Sequence, residues 1–578
     1  MMTAMCALGM FWSTSAQAEW ARQVLELEPG WNAVFLEVQP DANLCKEVFA
    51  DVPVESVWFW NGSDEPARFV QDPTNLVPEL PDWLTWFPAE SPKNFLSDLF
   101  AVHGGRAYLI ELGGNDPLNL ELQGRLVVRK KKWVPDSLNL VGFHVNGEEP
   151  PTFRDFFSHD KATANQPVYR ISTAGEAVLV ADPTKETLEP GKAYWVLCDG
   201  NSNYDGPLGL TLEGTDGLAF GEVLTEQPLE LVNKTAEPKQ VTVRLLSSDL
   251  PTSKNADASL PTIAGDVALA FQRVLAWEPL NEDLTFTLDP SSRQRLNLAV
   301  IRGRMPGGAQ NPSHYASILE VTDDEGVQYR IPVTAEKIIN DAGLWVGTVT
   351  VDMVSEAGNP QNPDVPQPTG SPFKFRIMMH VDDQGVARLL REVALMQVQP
   401  VITQDPQTGE DVVSEPARYV LVTDDSQLSN FTGVSMRNGE IVGRRISTPV
   451  FGFDTPQVMT ALTEADQDVL QVEVAMPYDH LLNPFLHQYH PDHDNLNERF
   501  EENSPLAEGS ESYTFTRDIK LTFQEQDAEV LALPAYGYDV KGGIYTEQIS
   551  GVHRRDITVQ GTFILNRVSD VAILNDGN

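Results

Sequence analysis

The chain has 578 residues, with 41 Lys and Arg against 83 Asp and Glu and a formal charge of -42. That length exceeds what one hydrophobic core serves and calls for roughly three to five domains, while 41% hydrophobic residues set it apart from disordered polymers. The acid excess repels phosphate backbones and anionic lipid surfaces, which argues against nucleic acid as a partner.

Residues 1–18 read as an export signal, with an apolar run over 4–12 and the small-x-small site Ala16-Gln17-Ala18 before Glu19. No Lys or Arg precedes the run, so either the true start lies upstream or the stretch is not a signal; a truncated or misassigned start is the reading taken. No other window approaches the roughly 18 apolar residues of a membrane span. The expected location is secreted, periplasmic or cell surface. Beyond the signal only Cys45 and Cys198 remain; they could form one disulfide or stay as two buried thiols, and there is no CxxC motif.

Residues 19–215 contain an internal repeat. GWNAVFLEV (30–38) matches SLNLVGFHV (137–145), VWFWN (57–61) matches VYRIS (168–172), and FVQDP (69–73) matches LVADP (179–183). GGRAYLIEL (104–112) then matches PGKAYWVLC (190–198), and DPLNLEL (116–122) matches DGPLGLTL (205–212). Each block is a short β-branched, aromatic and aliphatic run bounded by turn residues, so two copies of a mainly β module are expected, at 19–133 and 134–215. A helical turn with Val48 and Phe49, or with Phe153, Phe156 and Phe157, is expected to cover each sheet.

The first copy carries an insertion, 74–103. Its LPDWLTWFP segment (80–88) precedes Ser91-Pro92, an N-cap and first-turn pair, which predicts a helix packing Phe95, Leu96, Leu99 and Phe100 on the module. Trp83, Trp86 and Phe87 could stack on a sugar ring or anchor a partner; burial as a local plug is the commoner use. The basic run Arg129-Lys130-Lys131-Lys132 could dock an acidic face or protect an edge strand.

From 217 the sequence GLAFGEVLTEQPLELVNKTAEPKQVTVRLL resembles the opening of Hydin-like immunoglobulin domains. The resemblance covers about 216–304, with Trp277 and the strand over 296–301 closing the fold, and implies an antiparallel sandwich used as a spacer or interaction module. A β domain over 313–400 begins with the hairpin SILEVT, turn Asp323-Asp324-Glu325-Gly326, VQYRIPVTAE. GLWVGTVTVDMV (343–354) and FKFRIMMHV (373–381) follow with period two. The last domain, 401–578, which could continue the preceding one, alternates in the same way through RYVLVT, VLQVEVAMP, SYTFTRDIKLTF, GGIYTEQISGV and ITVQGTFILNRVS. The fold class is therefore mainly β, with several antiparallel β-sandwich modules in tandem and few short helices.

Between two of those last strands lies LHQYHPDHDN (486–495), within a connection of more than thirty residues; such lengths inside a compact domain are functional or disordered. His487, His490, Asp492, His493 and Asp494 make it the densest set of potential ligands in the chain. Imidazole and carboxylate donors suit zinc, copper, nickel or iron, and Asp492, Asp494, Asn495 and Glu498 offer oxygens to calcium without the EF-hand order. An Asx-rich loop stiffened by Pro484 and Pro491, bonded to its own amides, is the plain alternative. No GxSxG, HExxH, Walker or GxGxxG motif is present.

The combination of GWN-type modules with GLWVGTVTV, NPFxHxYHPDHDNL and GTFxLxRVS segments resembles a group of uncharacterised secreted multi-domain bacterial β-proteins, which implies compartment and architecture and no activity. The reading adopted is a non-catalytic extracellular or cell-surface protein that meets a protein or glycan surface, with any divalent metal, zinc or calcium, held structurally. The alternatives are a secreted metal-dependent hydrolase with its site at 487–494, and a carbohydrate-binding module within 19–133.

Overall fold

The computed structural model describes residues 20–62, 83–214, 217–251, 262–338, 340–356, 359, 361–404, 410–464, 467–484, 513–524 and 533–576. The chain divides into two compact units, Met1–Ile339 and Asn340–Asn578. Strands dominate both, the helices among the described residues are short turns, and nearly all pairing is antiparallel. The fold class is the mainly β, antiparallel one that the alternating patterns indicate.

The first repeat copy supplies β1 (Trp20–Leu27), β2 (Gly30–Leu36), β3 (Val38–Pro40), α1 (Cys45–Val48), β4 (Val54–Trp60), β5 (Trp83–Trp86), β6 (Arg106–Leu112) and β7 (Leu118–Leu126). The second supplies β8 (Ser137–Gly142), α2 (Phe153–Phe157), β9 (Val168–Ile171), β10 (Ala177–Leu179), β11 (Ala193–Cys198) and β12 (Leu208–Leu212). Their sheets run β2-β6-β4-β5 and β8-β11-β9-β10, so the matched blocks among the described residues occupy matched places; FVQDP (69–73) lies outside the described residues. The last strand of each copy leaves its own sheet: β7 pairs with β1 and β3, and β12 joins the following sandwich.

Two buried polar residues recur with the same work. Asn32 Oδ1 accepts from Glu28 N at 2.8 Å while its Nδ2 donates to Glu28 O and Gly30 O. Asn139 treats Val134 N, Val134 O and Ser137 O in the same way. Each amide thereby satisfies the backbone of the turn entering the first strand of its copy. Likewise Tyr108 Oη accepts from His103 N at 2.7 Å and Tyr194 Oη from Glu189 N at 2.8 Å.

The two sheets pack face to face through Phe35, Trp58, Trp83, Leu109, Leu140 and Trp195, with further apolar neighbours. Trp195, fully buried, meets Trp60 edge to face at 5.4 Å and Trp83 at 6.1 Å. Phe35 and Gly142 stand at the same place in the repeat, and a side chain at Gly142 would run into the Phe35 ring; the copies have diverged into a knob and its hole. Backbone bonds from Trp31 N to Thr173 O and from Phe35 N to Gly191 O stitch the join. The outer faces are covered too. The first sheet lies against β1, β7 and α1, with Cys45 in that core, and the second lies against α2, whose Phe153, Phe156 and Phe157 are buried. Cys45 and Cys198 are free thiols in different cores, which rules out the disulfide between them.

The insertion differs from its expected helix. Only a 3₁₀ turn, Asn94–Leu96, forms. The backbone that would continue it is drawn into an extended path, with Asp98 N and Leu99 N bonded to Thr85 O and Asp98 Oδ1 accepting from Thr85 N. Short polar side chains compete with helix in this way. Leu99 alone of the predicted apolar face is buried; Phe95 and Phe100 are 82% and 67% exposed.

The sandwich follows with β13 (Leu218–Ala219), β14 (Glu226–Asn233), β15 (Lys239–Ser247), β16 (Leu269–Arg273), β17 (Ala276–Pro279), β18 (Leu284–Leu288), β19 (Arg293–Val300), β20 (Ser313–Asp323) and β21 (Gln328–Lys337). Its sheets are β12-β14-β19-β16-β17 and β13-β21-β20-β15-β18. The β20–β21 hairpin, grouped by sequence with the segment over 343–400, instead pairs with β15 from Val241↔Asp323 to Ser247↔Ser317. Leu319, Val321, Ile331 and Val333 are fully buried there, which a strand left outside the sandwich could not achieve.

The second unit begins with β22 (Gly343–Ser355), β23 (Pro366–Val381) and β24 (Ala387–Leu389). An inserted stretch then folds into β25 (Glu392–Val398), β26 (Val401–Gln404), β27 (Asp411–Glu415), β28 (Arg418–Val422), β29 (Thr432–Gly433), β30 (Ser435–Arg437), β31 (Glu440–Val442) and β32 (Arg444–Ser447). The main sheet resumes with β33 (Gln457–Val458), β34 (Thr460–Glu464), β35 (Gln467–Met476), β36 (Phe515–Phe523), β37 (Val540–Ser550) and β38 (Ile557–Ser569). Its order is β33-β24-β23-β22-β38-β37-β36-β35-β34. Since β33 and β34 are one chain segment broken only at Met459, both edges of the sheet end in the same strand. The sheet is therefore an up-and-down barrel closed on itself, a solution that leaves no long unpaired edge.

The barrel interior is filled by Trp345, Val349, Phe375, Ile377, Val474, Ile519, Leu521, Tyr545, Phe563 and Leu565 among others. Gly347 and Gly561 sit on this inner face of adjacent strands, where a side chain would strike the neighbouring carbonyls of Ile564 and Thr350. Their bareness lets the central strands curl.

Replacing Asn139 with Ala strands three backbone groups, one of them buried and two part-buried, and should lower the unfolding free energy of the first unit by about 1 to 3 kcal/mol. Urea titration followed by tryptophan fluorescence measures it, with the second unit's transition unmoved.

Candidate functional site

One end of the barrel carries its polar interior. Arg517 and Glu547 point inward from β36 and β37, 7% and 4% exposed. Arg517 Nε pairs with Glu547 Oε1, its Nη2 donates to Oε2 at 3.2 Å, and Tyr545 Oη donates to the same Oε2 at 2.7 Å. Arg517 Nη1 donates to Val450 O at 2.9 Å, and the guanidinium lies 4.9 Å from the centre of the Phe451 ring. The pair thus holds the chain around 450–453 over the barrel end, with Phe451 and Phe453 turned into the core.

Beside this cover is an open cavity of about 550 Å³ lined by Arg391, Thr448, Asp454, Asp479, His480 and Leu482 with their neighbours. Arg391 is engaged by Asp454 at 3.0 Å and Glu392 at 3.1 Å. His480 Nδ1 accepts from Leu482 N at 3.1 Å. Asn483, buried, donates to Pro477 O at 2.9 Å and Tyr513 O at 2.7 Å, and Tyr478 N donates to Thr514 Oγ1. The long connection therefore leaves and returns at one place, beside the cavity. His487, His490, Asp492, His493 and Asp494 lie outside the described residues. Among the described residues no three His, Cys, Asp or Glu side chains are placed to hold a metal ion.

The aromatic candidates are turned into protein. Trp83 stands edge to face with Trp58 at 6.2 Å and with Trp195, and Phe87 packs on Trp58 at 5.9 Å. Both are buried, while Trp86, half-buried, lies 5.7 Å from Phe49. Trp83 and Phe87 therefore serve as core, and Trp86 keeps part of its surface open.

A second polar cluster joins the three parts of the first unit. Glu37 Oε2 meets Arg330 Nη2 at 3.1 Å, and Glu37 Oε1 lies 3.8 Å from His144 Nδ1. Lys131, the only member of the basic run that turns inward, places its ammonium 4.7 Å from the Phe143 ring and 5.7 Å from Phe35. His144 itself packs between Phe35 and Tyr329. Burial, then the charges of Lys131 and Arg330, hold the imidazole down to about 3, while burial pushes the Glu37 carboxyl up against the pull of Arg330. Sequence reasoning passed over this cluster although its signal was present: Glu37 and His144 are the same position of the repeat, so a symmetric join brings them together.

No family model matches the chain, and no curated protein does. The GWN-type and Hydin-like resemblances therefore rest on the motifs quoted for them. Solved structures that align with parts of it include the PapD-like domain 7 of human CEP192, with 11% identity over 24% of this chain and 87% of that one, at a TM-score of 0.14. The CooA pilin subunit of enterotoxigenic Escherichia coli aligns at 15% identity over 23% and 99%, TM-score 0.15, and the E. coli chaperone DraB at 10% over 31% and 93%, TM-score 0.14. Likenesses of that size carry no argument for this chain.

Two outcomes test these clusters. Because His144 is neutral when folded and takes a proton below its ordinary 6.5 when unfolded, its contribution is present above pH 6.5 and lost as pH falls toward about 3. Glu37 works the other way, adding stability as pH falls through its raised value. His144→Phe should therefore flatten the fall in melting temperature of the first unit below pH 6.5, read by calorimetry across a pH series. In the barrel, Glu547→Leu leaves Arg517 buried without its partner and should cost about 3 to 5 kcal/mol, most of which the added Arg517→Met recovers.

Proposed function

We propose that the protein is a non-catalytic, exported interaction protein, in which the packed sheets of the first unit are scaffold and the barrel unit meets a protein partner. The observation that carries this is the β26–β27 ribbon. Its strands pair only with each other among the described residues, and Val401, Ile402, Val412 and Val413 are all about half exposed on it. A two-stranded ribbon is marginal in water by itself, and branched apolar side chains gathered on one are a contact surface in waiting. Met436 and Ile441 repeat the pattern on the β30–β31 hairpin. Export rests on the 1–18 signal pattern; no helix among the described residues is long and apolar enough to cross a membrane.

The experiment replaces residues 401–415 with Gly-Gly. Both melting transitions should stay in place, while attachment of the purified protein to the surface of the cells that secrete it should fall by about tenfold or more. Undiminished attachment would defeat the reading, as would attachment that protease treatment of the cell surface leaves untouched.

The segment around His487, His490, Asp492, His493 and Asp494 is proposed to hold a structural divalent metal, zinc or calcium, with the Asn483 clamp as its support because it fixes where the segment begins and ends. Stoichiometric metal in untagged protein, and a chelator-dependent melting temperature that His490→Ala abolishes, are expected. A secreted metal-dependent hydrolase is the second reading, favoured by the open cavity beside His480; it requires turnover that the chelator removes.

A further inference from the structure

Where β15 begins and β20 ends, two charged side chains meet away from solvent, with a third, Glu325, at their rim. Lys239 is 1% exposed, and the side chain of Asp323 is wholly buried. Lys239 Nζ lies 3.0 Å from Asp323 Oδ2 and 2.9 Å from Glu325 Oε2, with Asp324 Oδ1 further off at 3.9 Å. Both short contacts are ion pairs that take Nζ, Oδ2 and Oε2 out of solvent together. The second oxygen of Asp323 is different. Its Oδ1 accepts from two backbone amides, Glu325 N at 3.0 Å and Val327 N at 2.8 Å. Burial pushes the Asp323 carboxyl up, toward its protonated form, against the opposing charge of Lys239.

Taking an ion pair out of water is costly, and condensation would remove both charges at once. We propose that Lys239 and Asp323 form an intramolecular amide, with Glu325 as the proton carrier. A proton passes from the ammonium to Oδ2, which leaves a free amine beside a neutral carboxyl, the form of Asp323 that its burial favours. Nζ attacks Cγ and the C–N bond forms. The negative charge that develops on Oδ1 faces the amides of Glu325 and Val327, an arrangement that stabilises a tetrahedral intermediate. Glu325 takes the second proton from Nζ and passes it to Oδ2; the Cγ–Oδ2 bond breaks and one water leaves. Amine and carboxyl are consumed, amide and water are produced, and nothing is oxidised or reduced.

The fold supplies what the reaction needs. Both partners are held in contact by the β15–β20 ladder, so the encounter is already made. Glu325, one-third exposed, borders an open cavity of about 440 Å³ lined by Glu149, Thr152, Asp155, Ser158 and His159, through which protons exchange and water departs. The product ties the start of one strand to the end of its neighbour, where the sandwich would otherwise begin to open.

Peptide mapping of the full-length protein by mass spectrometry tests this. The expected result is a branched tryptic peptide joining Lys239 to Asp323, lighter than its two linear parts by one water, about 18 Da, with no cleavage after Lys239. Glu325→Gln, which keeps shape and fold as judged by circular dichroism, should give the linear peptides, as should Lys239→Met. Linear peptides from the natural chain, cut after Lys239, would overturn the proposal. A branched peptide at full yield in Glu325→Gln would overturn the role of Glu325.

Discussion

Each copy of the repeat makes a four-stranded sheet that is apolar on both faces, and such a sheet cannot stand in water until both faces are covered. This constraint organises the first unit. One face of each sheet is buried against the other copy, through Trp195, Trp58 and Trp83. The opposite faces take β1, β7 and α1 on one side and α2 with the sandwich on the other. The tryptophans most suggestive of ligand binding are consumed by that requirement. So are the polar residues of the repeat: Asn32 and Asn139 close turns, and Tyr108 and Tyr194 hold single amides.

The second unit meets the equivalent problem differently. A broad antiparallel sheet exposes its edges, and here both edges end in the one segment that holds β33 and β34. Closure fixes an inside, the inside is packed, and the Arg517–Glu547–Tyr545 group is the polar exception that holds the cover in place. What remains outside the closed sheet is the inserted stretch with its exposed hairpins. Function is therefore to be sought on those hairpins and at the barrel end, where the long connection is clamped, and less in the scaffold.

Much of the architecture was legible in the sequence because period two and turn residues are local signals. The paired blocks that lie among the described residues map onto identical strand orders, and the β20–β21 hairpin formed at its expected turn. Its partner was not legible, since Val241 and Asp323 are far apart in sequence and any exposed strand edge would have served the pattern equally. Barrel closure was hidden for a related reason: the inserted stretch separates β24 from β33, and two short strands around Met459 give no periodic signal. The insertion helix failed because Asp98 and Ser97 found backbone partners in β5 and just after it, at Thr85 and Phe87. Lys239 carried no signal in the sequence, and Asp323 to Glu325 read as a turn; only their meeting gives them meaning. The ligand-rich segment from His487 to Asp494 was legible as composition alone.

The claim on which the account most depends is that the two repeat copies are one folding body, each completing the other. Hydrogen exchange of the full-length protein carrying Trp195→Ala tests it directly. Loss of protection is expected together in β4 and β6 of the first copy and in β9 and β11 of the second, because both sheets lose the same core. Loss confined to the second copy, with β4 and β6 protected as in the natural chain, would contradict it.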